Sequence, residues 1–363
     1  MGKLGVSIYP ERSTLKKDKE YIDLAKKYRV KKIFTSLLQM KENKEQAISD
    51  FKDIVRYAND CGMDVIVDIA PPLFEQLNIS YKDLSFFHKI GAYGIRLDQG
   101  FTGREEAQMT RNPYGLIIEI NMSQGTNYLD NIMSFHPNPE TLSGSHNFYP
   151  HRYTGLGYEH FLKCINKFKR YNLNTMAFIN SKTSTFGPWS ANDGMCTLEM
   201  HRDLDITTQI KHLILSGGID DITIANAYAS EDELKNASEA FFSQNISIRV
   251  NVMDGITEVE RKCLFENLHA YRGDCSEYML RSSMTRIRYK EEQFPAHNTL
   301  QIKPGYILID NELYGQYKGE TQIALKEMEN DGRVNVVGKV AREDEILLKY
   351  LSPWAAFKFI EIR

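Results

Sequence analysis

The sequence has no long hydrophobic run and few cysteines. No stretch approaches the roughly 18 apolar residues that a membrane-spanning helix needs. The first residues, MGKLGVSIYPERS, enter a strand-like segment without an apolar leader and cleavage site. Five cysteines are scattered among 363 residues without a C-x-x-C pair, which argues against a disulfide framework or a structural zinc site. These absences predict a cytoplasmic protein that does not associate with membranes.

An excess of charge of one sign is also missing. The formal net charge is −3, although 26% of the residues are charged. This balance excludes nucleic acid and anionic membrane surfaces as expected partners, so any charged ligand must be held by a local cluster of side chains. With 42% hydrophobic residues, the chain has the composition of an ordinary globular protein.

Short and nearly continuous apolar segments recur through the first two-thirds of the chain. Such segments are typical of parallel strands that are covered on both faces, and amphipathic helical segments separate them. Eight β–α units in about 240 residues predict an α/β fold, a closed (β/α)8 TIM barrel. An open doubly wound sheet is the rival, but no glycine-rich phosphate turn follows the first strand. The expected strands are 3–10, 31–37, 63–70, 92–98, 115–121, 144–150, 175–181 and 220–226. The expected helices are 14–29, 44–60, 81–90, 102–110, 125–134, 157–170, 203–216 and 230–242.

The sequence pattern changes after about residue 245. Short strands with turn residues between them follow, and one helix-like stretch at 257–267 interrupts them. The chain is therefore predicted to contain a barrel domain at 1–242 and a smaller, mostly-β domain at 245–363. The expected strands of the second domain lie within SIRVNVMDG, EYMLRSS, TLQIKPGYILID, VNVVGKVA and AAFKFIEIR.

Two acidic residues are the strongest catalytic candidates. Active sites of such barrels form at the C-terminal ends of the strands, where Asp98 and Glu119 end neighbouring strands. Because parallel neighbours lie about 4.8 Å apart, the two carboxyl groups could serve as the acid/base and the nucleophile of glycoside hydrolysis. The alternative is an ion pair, since Arg96 lies two residues before Asp98 and would neutralise one of the acids.

Other polar side chains near the strand ends are candidate substrate ligands. Each is equally compatible with a strand cap or a buried hydrogen-bond network. Two long loops, 145–161 and 180–203, add aromatic rings and charges of the kind that bind a sugar ring or a phosphate. In the second loop, TLEMHRD is as compatible with a helix start capped by Glu199 as with direct substrate contact. The candidates are Tyr9, Asp68, Asn121, His146, Asn147, Tyr149, Asn180, Trp189, Glu199, Arg202 and Asn226.

Two other classes of function remain open. A metal-dependent phosphosugar hydrolase or isomerase would need converging ligands such as Asp68, Asp98, Glu119 and His146, but no H-x-H or H-E-x-x-H spacing supports one. A sugar-phosphate binder without enzymatic activity is the third possibility. The expected partner is a small molecule, which the family resemblance described next implies is a phosphorylated disaccharide, and neither a metal nor a cofactor is expected.

Several long segments resemble one known family. They are GSHNFYPHRYTGL, GPWSANDGMCTLEMHR, DDITIANAYAS, RGDCSEYMLRSS and YGQYKGETQIALKEM. They resemble the MupG-type 6-phospho-N-acetylmuramidases, glycoside hydrolase family 170, and the resemblance covers essentially the whole chain. It implies a TIM barrel followed by a cyclophilin-like β domain. It also implies cytoplasmic hydrolysis of the β-1,4 bond of N-acetylmuramic acid 6-phosphate–N-acetylglucosamine, a disaccharide of peptidoglycan turnover.

The resemblance also bears on individual residues. It implies acidic motif positions at Asp98 in RLDQG and Glu119 in IEINMS. One of them would protonate the glycosidic oxygen, and the other would attack or orient the 2-acetamido group. In the second domain, Arg281 is expected to help Tyr317 and Glu320 hold the phosphate or the lactyl carboxylate. A purely structural role for that domain is equally open.

Overall fold

The structure is a computed structural model of the chain. It describes residues 2–37, 44–76, 79–191 and 193–362. The chain separates into two compact units, Met1–Phe241 and Phe242–Arg363. In the described residues, no helix has both the length and the apolar character needed to cross a bilayer.

The first unit is a closed barrel of eight parallel strands in chain order. The first strand pairs with the second and with the eighth, which closes the barrel. Most strand residues are buried, as expected for strands with side chains packed inside and outside the barrel. The predicted (β/α)8 barrel is confirmed. The strands are β1 (Leu4–Ser7), β2 (Lys32–Ser36), β3 (Asp64–Ile69), β4 (Gly94–Leu97), β5 (Ile117–Asn121), β6 (Leu142–Ser145), β7 (Asn174–Ile179) and β8 (Asp221–Ile224).

Helices connect the barrel strands. The helical spacing of Phe161, Cys164, Ile165 and Phe168 places all four on one buried face of a single helix. One short helix that the sequence did not predict starts at Pro71, where proline is tolerated because the first turn needs no N–H donor. The helices are α1 (Leu15–Lys27), α2 (Lys44–Asp60), α3 (Pro71–Gln76), α4 (Ser85–Ile90), α5 (Arg104–Met109), α6 (Tyr128–Ser134), α7 (Tyr158–Lys169), α8 (Ile206–Leu215) and α9 (Glu231–Phe242).

The sixth strand lies earlier in the chain than the sequence predicts. It ends at Ser145, whereas the predicted strand continues to Pro150. Beyond the strand, Tyr149 donates its backbone N–H to the carbonyl of Cys196 in the loop after β7, and Pro150 has no N–H to extend a ladder. Gly144 is required within the strand, because a Cβ there would overlap the ring of Phe168 on α7. The polar residues after Ser145 therefore belong to a loop.

The second unit contains a seven-stranded sheet, which confirms a smaller, mostly-β domain. Its strands pair antiparallel except for the ninth and fifteenth, which are parallel. The predicted helix is present and begins with a capping box between Thr257 and Glu260. Two short strands and two short helices were not predicted. The strands are β9 (Ile246–Val252), β10 (His269–Ala270), β11 (Met279–Ser282), β12 (Tyr306–Asp310), β13 (Thr321–Ala324), β14 (Val334–Val340) and β15 (Ala356–Glu361). The helices are α10 (Glu258–Phe265), α11 (Met284–Arg288) and α12 (Glu345–Leu348). The sheet order is β10-β15-β9-β14-β12-β13-β11.

Candidate active site

Arg96, on β4, is the centre of a polar cluster at the C-terminal end of the barrel. Its Nη1 donates to Asp68 Oδ1 at 2.7 Å and to Asp98 Oδ1 at 3.2 Å. Its Nε donates to Ser145 Oγ at 2.7 Å, and its Nη2 donates to Asn147 Oδ1. The side chain is almost fully buried. Because all three guanidinium nitrogens are engaged, Arg96 is held in one orientation and fixes the positions of both carboxyl groups.

The two acids of this cluster have different surroundings. Asp68 is buried, and burial raises its pKa to about 7, with nearby Asp98 adding to the rise and Arg96 opposing it. The side chain of Asp98 is 35% exposed and so reaches solvent. Since one nitrogen atom contacts an oxygen of each acid, those oxygens lie within about 6 Å of each other, similar to the carboxyl separation in retaining glycosidases. The ion pair that the sequence left as the alternative for Asp98 is present.

Glu119 does not belong to this cluster. Its Oε2 accepts a hydrogen bond from Lys32 Nζ at 2.9 Å, and the same Nζ lies 3.3 Å from Asp221 Oδ2. The strand register places Glu119 directly opposite Arg96. Asp98 follows Arg96 by two residues, so Glu119 lies about 6.6 Å deeper in the barrel than Asp98. Lys32 and Asp221 are the first residues of their strands, so Glu119 turns toward the N-terminal end of the barrel. The acid that shares Arg96 with Asp98 is therefore Asp68 and not Glu119, and the catalytic role of Glu119 stays a prediction.

Two predicted ligands support the cluster around Asp98, and a third lies in the same loop as one of them. Asn121 Nδ2 donates to the Asp98 carbonyl at 3.2 Å, and Asn121 Oδ1 accepts from the Ser123 N–H at 2.9 Å. Asn147, which also accepts from the central guanidinium, donates its N–H to Ser123 Oγ at 2.8 Å. Tyr149 is partly buried next in the same loop, and burial raises the pKa of its hydroxyl. These contacts connect the ends of β4, β5 and β6.

Two other predicted ligands are core residues. Tyr9 is fully buried, and its hydroxyl donates to the Ala225 carbonyl at 2.5 Å. His146 is also fully buried, with Nδ1 3.1 Å from Ser123 Oγ and its ring stacked on Phe161. Burial lowers the pKa of His146 to about 3, so the imidazole is neutral. Neither side chain is placed to meet a ligand from solvent.

Glu199 and Arg202 form a clamp between the two long loops. Glu199 accepts hydrogen bonds from the N–H groups of Tyr153 and Gly155, each at 2.8 Å. Arg202 donates to both Glu199 oxygens, at 2.7 and 2.6 Å, and to the Gly194 carbonyl at 2.8 Å. The Arg202 hydrogen bond is the main cause of a Glu199 pKa lowered to about 2, although partial burial opposes it. The pair therefore fixes the loop after β6 against the loop after β7.

Asn180 and Asn226 form the floor of a cavity at the ends of β7 and β8. Asn226 Nδ2 donates to Asn180 Oδ1 at 3.1 Å, and the same oxygen accepts from the Met195 N–H at 2.9 Å. The cavity has a volume of 340 Å³, and its charged lining residues are Arg202 and the exposed residues Lys182, Asp193 and Asp203. In barrels of this kind, the loops after strands 7 and 8 frequently bind phosphate.

The remaining predicted ligands lie in different units. Trp189 is in the loop after β7, and its side chain is exposed. Arg281 is on β11 of the second unit, where its Nε donates to Glu320 Oε1 at 2.7 Å. Sequence reasoning did not single out Lys32 or Ser145, although a lysine that begins an otherwise apolar strand is a signal for a buried ion pair.

The described residues provide no metal-binding group. None of them form a set of three or more His, Cys, Asp or Glu side chains placed to hold an ion. The cation between Asp68 and Asp98 is the guanidinium of Arg96, and Glu119 is paired with Lys32. The ligands suggested for a metal-dependent enzyme therefore do not converge.

The chain matches two family models. Residues 4–239 match one described as 6-phospho-N-acetylmuramidase, N-terminal, and residues 246–360 match one described as 6-phospho-N-acetylmuramidase, C-terminal. The chain belongs to the 6-phospho-N-acetylmuramidase family. Since this is a family of glycoside hydrolases, the chain is an enzyme of that class.

Two solved structures are similar over nearly the whole chain. An uncharacterized B. cereus protein is 45% identical, with a TM-score of 0.91 and coverage of 99% of both chains. A conserved Enterococcus faecalis protein with an unknown function is 23% identical, with a TM-score of 0.75 and coverage of 99% of this chain and 96% of that one. The second similarity shows the fold alone. No curated protein matches the chain.

Proposed function

We propose that this glycosidase hydrolyses the β-1,4 bond of N-acetylmuramic acid 6-phosphate–N-acetylglucosamine in the cytoplasm, as a step of peptidoglycan recycling. The observation that carries the proposal is the cluster of Asp68, Arg96 and Asp98 at the C-terminal end of the barrel. Family membership supports a phosphorylated muramyl sugar as the substrate.

Asp68 is the proposed general acid. Burial is the main reason that its pKa is about 7, so a substantial fraction keeps its proton at neutral pH. It donates that proton to the glycosidic oxygen as the bond to the leaving sugar breaks. Arg96, 2.7 Å away, then stabilises the carboxylate that remains. Asp68 thus takes the role for which the sequence offered Glu119 as a candidate.

Asp98 is the proposed partner of the acid. Its exposed carboxyl group either attacks the anomeric carbon or orients the 2-acetamido group, which then attacks that carbon itself. Because the Asp68 and Asp98 oxygens that share Arg96 lie no more than about 6 Å apart, their arrangement suits both routes better than direct attack by a water, which needs about 6.5–9.5 Å. Arg96 positions both acids and does not itself react.

The substrate groups are assigned by chemistry. Trp189 presents an exposed aromatic surface on which a sugar ring can stack. Lys182, which is exposed and lines the cavity after β7 and β8, is the proposed contact of the 6-phosphate. Glu199 and Arg202 act indirectly, by holding the loop that carries Trp189.

Product analysis tests this function. The wild-type enzyme is incubated with the disaccharide in its 6-phosphorylated and unphosphorylated forms, with and without EDTA. Release of N-acetylglucosamine from the phosphorylated form, unaffected by EDTA, is expected. If EDTA strongly reduces product release and a divalent ion restores it, the metal-dependent alternative is favoured. Saturable binding without any product would instead identify a sugar-phosphate binder.

A further inference from the structure

The second unit contains a cavity of 410 Å³ built on one face of its sheet. Arg281 on β11 is directly opposite Gln322 on β13, and Gln322 is opposite Leu308 on β12. Asp310 lies two residues after Leu308, so it shares the same face of the sheet. Four side chains from three adjacent strands therefore form the floor of this cavity, which is here called the β-domain pocket.

The polar part of the floor is buried and only partly satisfied. Gln322 Nε2 donates to Asp310 Oδ2 at 3.0 Å. The other oxygen, Asp310 Oδ1, has no hydrogen-bond partner in the part of the chain that the structure describes. Burial raises the pKa of Asp310 to about 7, and Glu320 adds to the rise. A buried polar atom without a partner is unfavourable for the folded state, and binding sites are where such atoms are commonly kept.

The charged side of the pocket carries an excess positive charge. Glu320 is fully buried and accepts from Arg281 Nε at 2.7 Å, while its other oxygen is 3.2 Å from Arg286 Nη1. Asp274, 3.7 Å from Arg281 Nη1, is already engaged by Arg272 on both oxygens. Arg281 and Arg286 thus share the Glu320 carboxylate. Asp310, with a pKa of about 7, carries only part of a second negative charge at neutral pH, so part of one positive charge remains for an anionic ligand.

Two tyrosines add aromatic surface to the pocket. Tyr314 and Tyr317 lie in the short helical segment Glu312–Tyr317 that follows β12, with ring centroids 5.9 Å apart and planes nearly perpendicular. Arg333 packs on the ring of Tyr314, and Arg286 packs on that of Tyr317. Aromatic faces beside hydrogen-bonding and cationic groups are the combination that an acidic sugar requires.

We propose that the β-domain pocket binds a small acidic saccharide. Arg281 would contact its carboxylate or phosphate, Gln322 and Asp310 its hydroxyl or amide groups, and the tyrosine rings a sugar face. The volume is within the range of about 300–1,000 Å³ that is typical of small-molecule sites. The inference rests on the proposed function only in the choice of amino sugars as probes.

Hydrogen–deuterium exchange of the full chain locates binding in this pocket. The probes are N-acetylmuramic acid, with a carboxylate, N-acetylglucosamine 6-phosphate, with a phosphate, and the uncharged N-acetylglucosamine. Protection of segments 277–283 and 306–323 by at least one charged probe, but not by N-acetylglucosamine, is expected. The two charged probes distinguish a carboxylate from a phosphate as the recognised group.

Matched variants test the assigned contacts. Arg281→Gln removes the charge and is expected to weaken binding of the charged probe about tenfold to a hundredfold in calorimetric titration. Asp310→Asn provides a second variant if the first destabilises the fold. The control is Arg261→Gln on α10, where the arginine pairs with Glu361 and does not line the pocket.

The outcomes separate this inference from the proposed function. If neither charged probe changes the exchange of the two segments, the binding site is overturned. It is also overturned if the Arg281→Gln and Asp310→Asn variants fold and bind the charged probe with the same affinity as the control. If the disaccharide is hydrolysed but these segments are not protected, only the pocket assignment fails. If the segments are protected but the disaccharide is not hydrolysed, only the proposed function fails.

Discussion

Replacing Lys32 by methionine tests the buried ion-pair group deep in the barrel. The ammonium is 2.9 Å from Glu119 and 3.3 Å from Asp221, and its side chain is only 5% exposed. Burial by itself would lower the pKa of Lys32, but the two carboxylates together outweigh it and raise the pKa, so the group is charged. Methionine fills a similar volume but leaves both carboxylates without that cation.

The magnitude follows from the burial of all three groups. Removing one partner of a buried ion pair costs about 3–5 kcal/mol, because the remaining charge stays desolvated. At about 2–4 °C per kcal/mol for a unit of this size, the barrel should unfold about 6–20 °C lower. Lys31→Met is the matched control, since Lys31 is the adjacent residue and is exposed. That control should change stability by no more than about 0.5 kcal/mol.

Thermal and urea unfolding of a double-mutant cycle is the assay. Glu119→Gln in the Lys32→Met background removes one of the two uncompensated carboxylates and should recover part of the lost stability. A coupling energy of about 0.5–3 kcal/mol is expected between the two sites. The deficit of Lys32→Met should shrink as the pH falls, because protonation neutralises the carboxylates. Equal stability of Lys32→Met and Lys31→Met, or strict additivity in the cycle, would refute this description of the barrel interior.

Two further predictions concern protonation. Because Asp68 must carry a proton and has a pKa of about 7, the turnover number should fall as the pH rises through about 7, and a flat profile from pH 5 to 9 would contradict this role. Glu199 has a pKa lowered to about 2, so its stabilising effect should be present above its ordinary value near 4.5 and be lost as the pH falls toward 2. Glu199→Gln should therefore cost about 1–2 kcal/mol at pH 7 and increase protease cleavage of residues 150–156. Glu20→Gln is the control, because Glu20 is exposed. Equal protease cleavage of Glu199→Gln and Glu20→Gln would count against the clamp.

The barrel could be predicted because burial on both faces makes parallel strands apolar along their length. Strand ends are harder to place, since a polar residue after an apolar run fits a strand or a loop equally well. His146 shows the problem, because it follows a strand that starts at Leu142, two residues before the predicted start. The strands predicted for the second unit did not include β10 and β13, which are too short or too polar to form an apolar run.

The site could be predicted only to the level of candidate acids. The sequence places Asp68, Asp98 and Glu119 on three consecutive strands, but it does not give the register between them. That register decides which carboxyl group shares a guanidinium with Asp98 and which turns toward Lys32. Sequence alone could not decide between the two roles left open for Tyr9, since a tyrosine at a strand end looks the same whether its hydroxyl meets a ligand or a backbone carbonyl.

The central claim is that Asp68 is the general acid. The most direct test compares the activity of Asp68→Asn on substrates whose leaving groups differ in their need for a proton. Turnover of wild type, Asp68→Asn and Glu119→Gln is measured on the phosphorylated disaccharide and on an aryl glycoside of the same phosphorylated sugar, whose phenolate leaves without protonation. Asp68→Asn should lose about 10²–10⁴-fold on the disaccharide but retain most activity on the aryl glycoside, while Glu119→Gln retains most of its activity on both. Selective loss on the disaccharide in Glu119→Gln, with Asp68→Asn unaffected, would contradict the assignment.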